Sequence, residues 1–239
     1  LLALVTSLIC LVLVCVWADH KIDDPKDRWL GGLDGYVDGY AQWSSWHAVL
    51  MVTGMCFSFT HALLSYRILP FSHEVNKIIH FIWHCTTVFC IGFGLHAIVK
   101  FHDLNQLSDL VSLHSWLGIC TLILFTQNYI FGVISFLLPN VSVEWKRKYF
   151  PSHKFLGMMT MFAAIITMET GIHQETGSYG CFYQYQQNSN KQPGQHYLDI
   201  PPGCRVSSGL GLLILLNGIL VAFALWEFPV QNHKSGEFY

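Results

Sequence analysis

Four histidines, His47, His80, His114 and His153, each stand near the start of a long stretch almost free of Asp, Glu, Lys and Arg. Imidazole is the side chain most often used to bind metal from a neutral state. An ionisable group set inside an apolar stretch is costly, and its default reading is function. The chain carries thirteen His beside thirteen Lys plus Arg, so neutral metal ligands are as abundant as cations.

The elements that position these histidines follow from composition. Of the 239 residues, 52% are hydrophobic and 12% charged, about half the charged fraction of an ordinary globular chain. A soluble protein of this size would be unable to cover its surface, and so rich an apolar content excludes disorder. The net charge of -2 leaves no basic footprint for nucleic acid. Six stretches, about 1–18, 42–66, 78–100, 110–138, 153–174 and 206–227, are long and apolar enough to cross the hydrocarbon core, the fifth interrupted by Glu169. The fold expected is all-α: one polytopic membrane domain over 1–239 with six transmembrane helices. The first stretch ends Val16-Trp17-Ala18 but exceeds the usual apolar core of a cleaved secretory signal, so it reads as a span. Since Leu1 already lies inside an apolar run, residues upstream of it are expected.

Alternating spans put the connections 67–77 and 140–154 on one face, here Y, together with both termini. The connections 19–38, 100–109 and 175–205 share the opposite face, X. Six Lys and Arg crowd the two short Y connections, whereas six are spread along the longer X connections. Dense positive charge in short loops marks the cytoplasmic side, so Y is expected to be cytosolic. Six of the eight cysteines fall within spans, while Cys181 and Cys204 lie in the longest X connection with Pro193, Gly194, Pro201 and Pro202 between them. Two such cysteines suggest a disulfide, which persists only on an oxidising side. X would then face the outside or a vesicle lumen; vesicle, endolysosomal and plasma membranes fit equally.

Topology also pairs the histidines. Spans two and four start at X, which puts His47 and His114 in one leaflet; spans three and five start at Y, which puts His80 and His153 in the other. Two imidazoles on different helices at one depth are what a four-helix bundle offers a planar cofactor. Axial His on both faces of a haem fills the iron's coordination, leaving electron transfer as its chemistry. The expected arrangement is a central four-helix bundle holding two haems b, their irons roughly 15–20 Å apart. His84, one turn beyond His80, is the rival ligand, and His61 and His96 are expected to bond carbonyls or haem propionates. Two other readings stay open on the residues alone. A non-haem metal-dependent membrane enzyme needs clustered His boxes, and a polytopic metal transporter needs polar residues near the midplane.

The run Ser112-Leu113-His114-Ser115-Trp116-Leu117-Gly118, followed by Asn128-Tyr129, Gly132 and Pro139, resembles the fourth span of the cytochrome b561 family. Pro151-Ser152-His153 with Gly157 and Gly171 resembles its fifth span. Lys77-Ile78-Ile79-His80 through Gly94-Leu95 and His102-Asp103 is similar to its third, and Ser65-Tyr66-Arg67 to the end of its second. The likeness covers roughly 40–175. It implies an ascorbate-dependent, two-haem transmembrane oxidoreductase in a lipid membrane, typically a homodimer. It places the haem ligands on His47, His114, His80 and His153. The anionic donor ascorbate would sit at the cytoplasmic face near Lys77, Lys146, Arg147 and Arg67. His102 would meet the acceptor, monodehydroascorbate or a ferric chelate, on the other side. The chain departs from the family at Ser45 and Ala48, usually Asn and Pro around the first ligand, at Val111, often Tyr, and at Glu169.

The orientation has a reporter in the chain. Asn140-Val141-Ser142 fits the N-glycosylation pattern yet lies in a connection assigned to the cytosol. Asn140 is expected to stay unmodified in native membranes, as a glycosidase mobility shift would check; a glycan there would reverse the sidedness.

Overall fold

The computed structural model describes residues 1–19, 29–33, 36–37, 40–41, 43–178, 181 and 201–227. Within hydrocarbon a spanning segment must pair its own backbone groups, which leaves helices as the economical solution for runs of this length. Six are long and apolar enough to cross: α1 Leu2–Asp19, α2 Trp43–Ile68, α3 His73–Asn105, α4 Leu113–Leu137, α5 Val143–Ser178 and α6 Pro202–Glu227. The described strands are a two-residue antiparallel ladder before α2, pairing β1 Tyr36–Val37 with β2 Tyr40–Ala41.

The helices begin where serines cap them rather than where charge ends. The Ser72 hydroxyl accepts from the Val75 N–H, Ser112 from Ser115 and Ser142 from Trp145, each satisfying an orphan donor of the first turn. As a result α3 and α5 start well before their apolar windows. Much of 67–77 and of 140–154, expected as connections, is helix. Basic charge marks the membrane boundary, whereas the caps set the helix boundary. Lys77, Lys146, Arg147 and Lys148 therefore ride on helical turns that project from the apolar belt, and His80 and His153 lie deeper in their helices than the first two turns.

Two helices contain wide turns that the hydrophobic pattern did not announce, Thr53–Ser58 within α2 and Val133–Leu137 at the end of α4. Single π-type turns of this kind recur at functional sites. Here the first lies between His47 and Ala62, and both of those residues touch the site described below.

Packing forms two layers with a flank. α2 lies along α3, α4 lies along α5, and α1 pairs with α6 against α2 and α5. The flank is tied by one polar node. The Asn217 amide of α6 donates to Thr60 Oγ1 of α2 at 2.8 Å and accepts from Thr6 Oγ1 of α1 at 2.9 Å. Interhelical hydrogen bonds in membranes contribute about 0.6–2 kcal/mol each, so this node sets register more than it sets stability. Around it Trp17, Val14, Leu210, Ile214 and Val221 are fully buried. The outward faces of α3 and α4, by contrast, show Ile82, Phe89, Phe93, Ile123 and Ile130, as expected of surfaces that meet lipid tails.

Candidate functional site

Two pairs of histidines face one another across the layers. His47 on α2 and His114 on α4 have ring centroids 6.1 Å apart, and His80 on α3 and His153 on α5 have theirs 6.4 Å apart. An imidazole–metal bond is about 2.0–2.1 Å, and two such bonds in line hold two ring centroids about 6.3 Å apart. Both pairs are thus spaced for one metal ion between two imidazoles.

The hydrogen bond at one nitrogen of each ring decides which nitrogen is left to bind a metal. His47 Nδ1 donates to the Gly94 carbonyl at 3.0 Å, His80 Nδ1 to Ala62 at 2.7 Å, and His114 Nδ1 to Thr167 at 2.9 Å. His153 Nδ1 donates to the side-chain oxygen of Asn128 at 3.0 Å. Every acceptor lies on a different helix from its histidine. Each bond fixes the tautomer that leaves Nε2 unprotonated, orients the ring and raises the basicity of the ligating nitrogen. Two imidazoles at this spacing, each with Nδ1 bonded and Nε2 left as the electron-pair donor, have the donor chemistry of a bis-imidazole haem, and on this ground the residues fit that group.

The elements place these rings by sequence features visible in detail only once folded. Asn128 holds His153 from two sides, its amide N–H donating back to the His153 carbonyl at 3.2 Å, while the Tyr149 hydroxyl donates to Asn128 Oδ1 at 3.4 Å. Ser45, where the family usually has Asn, is buried and donates its hydroxyl to the Leu30 carbonyl. Trp46 Nε1 donates to Leu33, so the start of α2 is anchored by the preceding segment. Two glycines give the rings their room. A Cβ on Gly132 would lie 2.9 Å from His153 Cε1, and one on Gly171 would lie 2.8 Å from His114 Cε1.

The rival and spare histidines are placed differently. The His84 ring meets His80 of its own helix at 4.5 Å and otherwise Phe59, Phe125 and Tyr129, and its buried Nδ1 finds no protein partner among the described residues. His61 bonds the Phe57 carbonyl of its own helix, and His96 is exposed on the outer side of α3. At the Y end, Lys77 pairs with Glu74 at 2.5 Å, and Lys146 and Arg147 lie on the first turns of α5. Arg67 Nη2 donates to the Leu225 carbonyl of α6, while its buried Nη1 has no partner among the described residues. Tyr66, quoted in the sequence only as a landmark, packs between His73 and His80, both at 5.5 Å. At the X end, His102 lies near the end of α3, bonded through Nδ1 to Asp109. Cys181 and Cys204 are joined by a disulfide with Cα atoms 5.7 Å apart. Pro193 and Gly194 between them lie outside the described residues.

Comparison with known proteins adds an independent line. The sequence pattern of the family described as eukaryotic cytochrome b561 matches residues 46–178. A zebrafish (Danio rerio) lysosomal membrane ascorbate-dependent ferrireductase is 30% identical over 246 residues, covering 99% of this chain and 92% of the relative. The mouse (Mus musculus) protein of the same name is 31% identical, covering 92% of this chain and 86% of the relative. A rice (Oryza sativa subsp. japonica) probable ascorbate-specific transmembrane electron transporter is 34% identical over 52% of this chain and 54% of its own length.

The glycine contacts generate a test. A methyl group added against a ring held by metal coordination overpacks the site at a cost of about 1–3 kcal/mol, or roughly a tenfold to hundredfold loss of affinity for the group between the rings. Gly132→Ala should weaken haem retention at the His80–His153 pair and Gly171→Ala at the His47–His114 pair, read as haem content after detergent purification. Gly92→Ala, whose added Cβ meets nothing within 4 Å, should retain the full content.

Proposed function

The chain belongs to the eukaryotic cytochrome b561 family, and from that premise we propose that it moves electrons across a membrane from ascorbate on one side to a ferric acceptor on the other. The observation that carries the reading is the pair of cross-helix imidazole couples, each spaced for one metal ion between them. Two haems b, when bound at His47–His114 and His80–His153, would supply the one-electron chemistry. Everything else is the work of the chain's own groups.

Those groups bind a donor at Y and an acceptor at X. Ascorbate at neutral pH is an anion, and Lys77, Lys146 and Arg147 raise its local concentration at the Y mouth. Arg67, whose Nη1 has no partner among the described residues, offers a directed hydrogen bond at that end of α2, next in sequence to Tyr66, which packs on His80. At X, His102 receives the acceptor. The relatives matched over nearly their whole length are named for ferrireductase activity, which favours a ferric chelate over monodehydroascorbate. The basic density of the Y connections and the Cys181–Cys204 disulfide at X support a cytosolic Y face and both termini in the cytosol. An electron leaving a negative cytosol gains about 2.3 kcal/mol per 100 mV. A homodimer is part of the proposal, on the family likeness alone.

Stopped-flow spectroscopy of the two half-reactions separates the mouths. Lys77→Ala and the Lys146→Ala/Arg147→Ala double variant should slow haem reduction by ascorbate several-fold and flatten its dependence on salt, because screening acts on exposed charges. His102→Ala should leave that reduction intact and slow reoxidation by ferric citrate. If His102→Ala instead slows reduction from the Y side, the assignment of sides fails.

A further inference from the structure

The connection between α3 and α4 is built to bring one carboxylate onto one imidazole. α3 ends at a left-handed residue, Gln106 (φ 54°), and the Leu107 N–H returns to the His102 carbonyl at 2.9 Å. A second left-handed residue, Leu110 (φ 57°), turns the chain again before Ser112 caps α4. Non-glycine residues adopt this conformation uncommonly and at some cost, so the surrounding structure must hold it. Between the two turns stands Asp109, and its Oδ1 accepts from His102 Nδ1 at 2.6 Å. The His102 side chain is 21% exposed and that of Asp109 59%, so the pair lies at the surface of the X mouth, five residues before His114.

We propose that Asp109 is the positioning residue for His102, holding its imidazole in the tautomer that presents an unprotonated Nε2 to a ferric chelate. This rests on the reading of His102 as the acceptor residue. The chemistry parallels the four paired histidines, where a partner on Nδ1 leaves Nε2 as the electron-pair donor. There the partner is a neutral carbonyl or amide oxygen; here it is a carboxylate, which holds the Nδ1 proton more firmly and makes Nε2 the better donor. Glu175 near the end of α5 lies close enough for its charge to act on His102. It does not take the ring nitrogen that Asp109 occupies. The substrate class follows: a ferric complex whose chelator leaves or yields one coordination position to an imidazole. The protein supplies that one nitrogen and the chelator the rest. An oxidant that reacts without coordination, such as ferricyanide, gains nothing from the pair.

The experiment reduces the full-length protein with ascorbate and follows reoxidation of its haem absorption by ferric citrate and, separately, by ferricyanide. Asp109→Asn keeps the shape but lets the amide turn its NH2 toward the ring, which favours the wrong tautomer. It should slow reoxidation by ferric citrate about 10-fold to 100-fold, the usual effect of removing an outer-shell partner. Reoxidation by ferricyanide, reduction by ascorbate and the reduced spectrum should be unchanged. Asp109→Glu, which retains a carboxylate, should recover part of the loss. In a His102→Ala background, Asp109→Asn should have no further effect, because the two act as a unit. A further slowing in that background would show that Asp109 acts by charge alone and overturn the proposal, as would Asp109→Asn reoxidising at the wild-type rate while His102→Ala does not. Were His102→Ala itself without effect on ferric citrate, the acceptor reading would fail first.

Discussion

An imidazole inside a membrane has two ring nitrogens to satisfy and no water to do it. The structure meets this constraint in the same way four times: Nδ1 is bonded to an oxygen on a neighbouring helix, and the ring lies with its centroid 6.1 or 6.4 Å from a second imidazole on another helix. The rest of the architecture depends on that arrangement. Because each acceptor belongs to another helix, all four central helices contribute both a histidine and an oxygen acceptor for another helix's histidine. A shift of one helix along its neighbour would break a hydrogen bond and misplace a ring together. The small residues Gly132 and Gly171 and the amide of Asn128 are accommodations to the same rings.

The outer helices do a different task. α1 and α6 carry none of the paired histidines and meet α2 through the Asn217 node and an apolar seam. Their contribution is to hold α2 from behind, and Arg67 to Leu225 closes the same contact at the Y end. The two ends of the bundle differ in charge: Lys77, Lys146 and Arg147 gather at one, whereas His102 stands against Asp109 at the other. On the proposed function, the first is where an anionic donor would dock and the second where a metal complex would be met.

Much of this was legible in the sequence. The six charge-poor runs announced six helices, since no other secondary structure satisfies the backbone in lipid over such lengths. Alternation of spans then paired His47 with His114 and His80 with His153 before any coordinates, because depth follows from order when every helix crosses. What stayed hidden depends on side chains meeting across helices. Nothing in the local sequence marks Ala62, Gly94 or Thr167 as acceptors, since the atom that matters is a backbone carbonyl. Asn128 stood out as a family landmark, but its double grip on His153 needs the geometry of α4 against α5. The helices α3 and α5 begin ahead of the apolar windows at about 78 and 153 because hydropathy reports the membrane, while Ser72 and Ser142 report the helix. Asp109 reads as an ordinary loop acid until the two left-handed residues turn it back onto His102.

The account's central claim is that each cross-helix pair holds one haem through both its histidines. The most direct measurement is the haem b content per chain, with the low-spin spectrum, of the purified protein and of His47→Ala, His114→Ala, His80→Ala and His153→Ala. The account predicts two haems in the parent. It predicts loss of one and the same centre in His47→Ala and His114→Ala, and loss of the other in His80→Ala and His153→Ala. Two intact low-spin centres in His80→Ala, which would promote His84 to ligand, or loss of a shared centre in His47→Ala and His80→Ala, would contradict it.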